Sequence, residues 1–374
     1  MRTIIRITKS ELRVLFFSPI AWLILIVFSF QVGMAYCDVL AQQLQSMELG
    51  YRTPAVTSSL FAGYTGIFSG LLDNLYLYIP LFTMGLMSRE LSSGSIKLLY
   101  SSPVTNTQII LGKYLSMMIY GLALIVVLLL IALFGVFTIK DFDFPMVLSG
   151  LLGLYFLICA YAAVGLFMSS LTSYQVVAAI MTLVVLGLLS YVKDLWQEFE
   201  LVREITYWLS ISGRSGEFIR GLICSEDVIY FITVSALFLV LTVIRLQANR
   251  QKAPWTMTIG KYAGVLLIAS VIGYFSSRPV LMTYYDTTAT KSNTLTENSQ
   301  DVVAKMEGGL TITTYVNALD LNDLWTALPS QVKRDQDRFR QYVRFKPEIK
   351  MKYVYYYDTI ADPQQDERWP DKNT

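Results

Sequence analysis

Ser88–Lys113 reads SRELSSGSIKLLYSSPVTNTQIILGK, a polar island between two long apolar segments. It carries Arg89, Glu90, Lys97 and Lys113, and it closes an apolar segment that contains Pro80. On both sides the chain reads as hydrocarbon-spanning helix, so this stretch is expected as a short connector on one face of a membrane. Such a connector either joins two helices in water or offers a soluble partner a grip. Residue types alone leave both readings open.

Of 374 residues, 54% are hydrophobic and only 16% charged, with a mean hydropathy of +0.48. That excludes a disordered chain or an ordinary soluble globule and points to a membrane protein. The net charge of +2 gives no nucleic-acid footprint. Apolar residues gather before about residue 276, and the remainder is mixed and polar. A membrane domain followed by a water-exposed domain is expected. The chain has no histidine, which removes Ser-His-Asp and Cys-His catalysis and His-ligated metals. Cys37, Cys159 and Cys224 are isolated. Cys159 reads as a small core residue. Cys37 and Cys224 fall at expected outer edges, so a disulfide is conceivable, but unpaired thiols are the expectation.

Arg2, Arg6, Lys9 and Arg13 fall at helical spacing. They make one charged stripe on an amphipathic helix expected on the cytoplasmic membrane surface, its cations near anionic headgroups. The run that follows, Pro19–Tyr36, is too long for a signal-peptide core and spans instead. Residues 37–57 read as a polar outer segment, and SSLFAGYTGIFSG as an in-plane or re-entrant piece. Further spans are expected at Asn74–Met87, Tyr114–Thr138, Met146–Met168, a fifth ending near Tyr191, and Val228–Ile244. Pro80 should kink the second. Pro145 should open the fourth, whose Gly150, Gly153 and Gly165 suit close helix packing. Residues 193–227, with Trp196 and Trp208, read as an outer segment with amphipathic helical pieces. Residues 247–258 form a linker, and Ile259–Phe275 is a seventh, marginal run that spans if Lys261 snorkels and Trp255 anchors.

Lysine and arginine set the orientation. The N-terminal stripe, the Arg89/Lys97/Lys113 connector and the Arg245–Lys261 segment fall on one side, and the other loops hold most carboxylates. The positive-inside rule puts the N-terminus and the connector in the cytoplasm. Seven spans then place residues 277–374 outside. There, Thr294-x-x-Glu297 reads as a capping box for a helix to Met306, stopped by Gly308-Gly309. Leu310–Val316 alternates as a strand, Ser330–Phe345 as a helix with Val332, Phe339 and Val343 inward, and Ile349–Tyr357 as a second strand. That is a β-α-β pattern with adjacent parallel strands, and two strands suggest part of a larger domain.

The chain has no G-x-x-x-x-G-K-[ST] phosphate loop, no glycine-rich dinucleotide turn and no carboxylate pair at mid-membrane. Energy for uphill movement must come from another subunit.

A basic amphipathic elbow, a first span, and a second span leading into Glu90-x-x-x-Gly94-Ser95-x-x-Leu98-Leu99-x-x-x-Pro103-Val104, with Gly112-Lys113 starting the third, resemble a permease of the ABC-2 type superfamily. The resemblance covers roughly residues 1–246. It implies a polytopic α-helical fold of six spans, to which the apolar run and the β-α-β pattern described above add a seventh span at 259–276 and an extracytoplasmic α/β domain fragment at 277–374. It also implies an ATPase-coupling segment built from Arg89, Glu90, Gly94, Ser95, Lys97, Leu98, Leu99 and Pro103. Ser95 stands where that family commonly has threonine. Expected partners are an ABC ATPase subunit that binds ATP and Mg, a second permease subunit and the bilayer of a bacterial inner membrane, with no cofactor, metal or catalytic site in this chain. The seventh span followed by Asp286-x-Thr288 and Asn293-Thr294-Leu295-Thr296 is similar to the start of the G-type subunit of gliding-motility ABC systems, which makes the chain an F-type permease fused to part of a G-type subunit. Two other readings stand beside export: an ABC subunit that transports nothing and relays force outward, and an ion-coupled secondary transporter. The cargo is not legible.

Overall fold

The computed structural model describes residues 1–51, 55–192, 206, 209–251, 255–278, 282–306, 308–317, 332–346 and 348–357. Trp196, Trp208 and Ser330, all used in the sequence reading, lie outside them. The chain divides into two units, Met1–Ser190 with Ser210–Thr290, and Tyr191–Leu209 with Lys291–Thr374.

The first unit is helical. α1 (Arg2–Phe17) ends at Ser18, whose hydroxyl caps α2 (Pro19–Glu48), with Pro19 at the first helical position. α2 does not stop at Tyr36 as expected. Residues 37–48 contain no Gly or Pro and include three Gln and two Leu, so the helix runs three further turns until Leu49-Gly50. α3 (Val56–Phe61) and α4 (Ile67–Thr83) occupy the glycine-rich stretch read as re-entrant, so the second span begins seven residues before Asn74. Pro80 is accommodated inside α4, and helical conformation continues through Met84 into α5 (Gly85–Ser93). α6 (Ile96–Ser101) and α7 (Asn106–Thr138) follow. The polar stretch is therefore mostly helical, and Gly112-Lys113 lie inside α7 rather than before it.

Asp143 caps α8 (Phe144–Leu171), with Pro145 in its first turn. α8 is the central helix, most of it buried among α4, α5, α7, α10 (Ile211–Ile219) and α11 (Ser225–Gln251), with Leu148 and Leu152 left exposed. Its small residues permit this: Gly153 lies against Phe218 and Gly165 against Thr83. α9 (Gln175–Tyr191) precedes α10, and α12 (Trp255–Ser276) packs along α11. The expected linker 247–258 is largely helix, because α11 reaches Gln251 and α12 starts at Trp255. Among the described residues, six helices are long and apolar enough to cross a membrane. α9, with 17 residues, is about 26 Å long, just under the hydrocarbon thickness.

Two features went unforeseen. A short antiparallel ribbon joins β1 (Leu222–Cys224) to β2 (Tyr284–Asp286). Arg214, expected in a wet outer loop, is buried in α10 and bonded to Glu226 at 2.5 Å and Asp227 at 3.0 Å, with the Tyr230 ring 4.9 Å away. A buried charge persists only when paired in this way. Cys37 is exposed and Cys224 buried in β1, and no disulfide joins them among the described residues.

The second unit holds α13 (Glu297–Lys305), β3 (Thr311–Asn317), α14 (Val332–Phe345) and β4 (Lys350–Tyr356). β3 and β4 pair in parallel, Thr311 with Lys350 through Asn317 with Tyr356, as the β-α-β reading expects. Tyr353 donates to Asp335 at 2.9 Å and binds β4 to α14. The helix cap is Thr296 with Ser299, two residues later than Thr294, so the proposed capping box does not form.

Candidate coupling site

The first contact that builds the site is between α1 and α7. Thr8 is buried and its hydroxyl donates to Gly112 O at 3.0 Å. A Cβ at Gly112 would lie 2.7 Å from Ile7 Cγ2, so only glycine lets α1 cross this closely. Glu11 is one turn beyond Thr8 on the same helix face, and it therefore meets Lys113, the residue after Gly112. Lys113 Nζ donates to Glu11 Oε1 at 2.7 Å.

α5 supplies the second carboxylate. Ser169 Oγ from α8 accepts from Met87 N at 3.0 Å and Ser88 N at 3.1 Å, and donates to Met84 O at 2.8 Å. These bonds satisfy first-turn amides that a helix start leaves open and pin α5 to α8. So held, Glu90 Oε1 accepts from Lys113 Nζ at 2.7 Å. Arg89 Nη2 lies 3.4 Å from Glu11 Oε2 and completes a balanced quartet of two cations and two anions. Lys113 is 1% exposed, whereas the Arg89 side chain is 42% exposed. Glu90 Oε2 is buried without a hydrogen-bond partner among the described residues. A cavity of about 110 Å³ adjoins the quartet, lined by Glu11, Leu15, Phe82 and Arg89 among others.

Beyond Glu90 the chain turns outward. Gly94 sits at φ +72°, the left-handed conformation that ends α5 and starts α6. Ile96 is buried, and Lys97, Leu98 and Ser101 are exposed, Leu98 at 74%. Arg250 donates to Tyr100 O at 2.7 Å, which ties α6 to the end of α11. Burial pushes the Tyr100 phenol pKa up. Thr105 and Gln108 form a capping box at the start of α7.

Of the residues named from sequence, Arg89 and Glu90 join the quartet. Gly94 and Ser95 make the turn, Lys97, Leu98 and Pro103 are exposed, and Leu99 is half-buried. Arg2, Arg6, Lys9 and Arg13 are all exposed on α1, away from its buried Thr8. Glu11 was missed. Its signal was present: it is the only acid in the first 37 residues, on the face of α1 opposite the basic stripe.

A family model described as ABC-2 family transporter protein matches residues 5–199, more than half of the chain. The chain belongs to this family. No curated protein and no solved structure matches it. As an ABC-2 protein it is a multi-pass membrane component of an ABC transporter, a kind of component that works with an ABC ATPase subunit. The matched residues include α1, α5, α6 and the start of α7, so every member of the quartet lies within the ABC-2 region. Among the described residues, no group of His, Cys, Asp or Glu is placed to hold a metal.

Proposed function

We propose that this ABC-2 subunit couples ATP hydrolysis in a separate ATPase to export, with α5–α6 as the docking element and the Glu11–Lys113–Glu90–Arg89 quartet as the transmission point. The carrying observation is the buried Lys113 ammonium, which holds the surface helix α1, the helix α5 and the span α7 together through two 2.7 Å bonds. A push on the exposed face of α6 moves α5, and the quartet hands that motion to α1 and α7 rather than letting α5 bend alone. ATP and Mg bind in the ATPase, not in this chain. The N-terminus is cytoplasmic, residues 277–374 are extracytoplasmic, the membrane is a bacterial inner membrane, and a second permease subunit completes the complex. The gliding-motility type is the form of the family we favour, on the motif resemblance at Asp286-x-Thr288 and Asn293–Thr296.

The test is ATPase stimulation in the reconstituted complex. Glu90→Ala leaves the protein inserted but lowers stimulated hydrolysis, and Leu98→Asp weakens ATPase binding. Full binding and activity in both variants contradict the proposal.

A further inference from the structure

Residues 283–289, which follow α12 in the chain, are bonded to other elements of the first unit. Ser225 N donates to Thr283 O at 2.9 Å, and Thr283 N returns a bond to Ser225 Oγ at 3.0 Å. β2 then pairs with β1, Cys224 opposite Tyr284 and Leu222 opposite Asp286. Thr287 donates to Gly221 O twice, from N at 2.8 Å and from Oγ1 at 2.7 Å. Asp286 Oδ1 accepts from Thr288 N at 2.9 Å and Oγ1 at 2.7 Å, so the Asp-x-Thr motif is a locked Asx turn. Ala289 N donates to Asp143 Oδ2 at 2.7 Å, and the other oxygen of Asp143 caps α8.

Asp286 and Thr288 are both 5% exposed, and Leu222 and Cys224 are 1% exposed. Gly221 is at φ +90°, and a Cβ there would lie 2.7 Å from Thr288 Cγ2. A domain merely tethered by α12 needs none of this. Seven residues instead reach the cap of α8, the exit of α10 and the start of α11. These points lie at the Thr138 end of α7, and Thr138 is 25 residues, about 38 Å, from Lys113.

We propose that residues 283–289 are a mechanical joint, which delivers nucleotide-driven displacement of α8, α10 and α11 to the domain that begins at Lys291. This rests on the ATP-coupled reading above. The contacts are backbone bonds and a buried turn, so the joint transmits displacement in both directions, and load on the domain reaches the bundle by the same path.

Hydrogen exchange on the full chain in complex with its ATPase tests this, comparing the nucleotide-free and ATP-trapped states. Wild type should show a nucleotide-dependent difference both in the 85–101 peptide and in the 297–305 peptide. Asp286→Ala should speed exchange at 287–289 by about tenfold or more and abolish the difference at 297–305 while keeping that at 85–101. Gly221→Ala, made on the other side of the joint, should reproduce this selective loss. Persistence of the 297–305 difference in either variant overturns the joint, as does its absence in wild type when 85–101 responds. Loss at both peptides in the variants means that the segment only holds the bundle together, and also overturns it. No response at 85–101 in wild type refutes the coupling reading itself, and the joint falls with it.

Discussion

Replacing Lys113 with methionine tests whether the quartet acts as a unit. The ammonium lies 2.7 Å from each of two carboxylates, a separation worth about 6 kcal/mol per contact at an effective dielectric of 20. Desolvation of the 1% exposed lysine offsets much of that. Removing one partner of a buried pair typically costs about 3–5 kcal/mol, because the charges left behind have lost their counter-ion. Lys113→Met should therefore destabilise the protein by about 3–5 kcal/mol. Glu11 and Glu90 are then left with Arg89 alone, 3.4 Å from one of them. The triple variant Lys113→Met/Glu11→Gln/Glu90→Gln removes the stranded charges and should come within about 2 kcal/mol of wild type. The assay is equilibrium unfolding of the purified chain in mixed micelles, with ATPase stimulation measured in parallel. The triple variant should recover stability but not stimulation, since neutral groups pack without locking α1 to α5. A single variant within about 1 kcal/mol of wild type, or a triple no more stable than the single, would refute the buried-pair reasoning.

Gly153→Ala places a methyl against Phe218 and should destabilise the α8–α10 contact by about 1–3 kcal/mol. Gly216→Ala, where nothing lies within 4 Å, should be near neutral in the same unfolding assay. Asn298→Cys, in a background lacking Cys37, Cys159 and Cys224, should react with an impermeant thiol reagent in intact cells whose outer membrane, if any, is permeabilised. Labelling only after lysis would put residues 277–374 in the cytoplasm and remove the seventh span.

Most of the membrane architecture was legible because lipid demands unbroken apolar runs with internally satisfied backbone. The ends of those runs were not. Asp38 and the glutamines after Val39 read as an exit from the bilayer, yet a helix continues wherever no breaker intervenes, and α2 runs on to Glu48. Pro80 read as a kink in a single span, and α4 ends at Thr83, one turn after it, with Met84 leading into α5. The β-α-β unit was legible because the period changes from two to that of a helix and back. β1 and β2 were not, since three residues each are too few to show alternation. At the site, Arg89 and Glu90 stood out by motif, whereas Glu11 meets Lys113 across 102 residues of sequence. Only the Thr8–Gly112 crossing, a tertiary event, brings them together.

The central claim is that the ATPase docks on α6 and is felt at the quartet. A photo-cross-linking amino acid at Leu98, 74% exposed, tests it most directly. Tyr64, 97% exposed in the turn between α3 and α4, is the control position. The account predicts that Leu98 captures a protein carrying a G-x-x-x-x-G-K-[ST] phosphate loop, that Tyr64 does not, and that trapping ATP changes the yield. Capture of that protein from Tyr64 and not from Leu98 would contradict it.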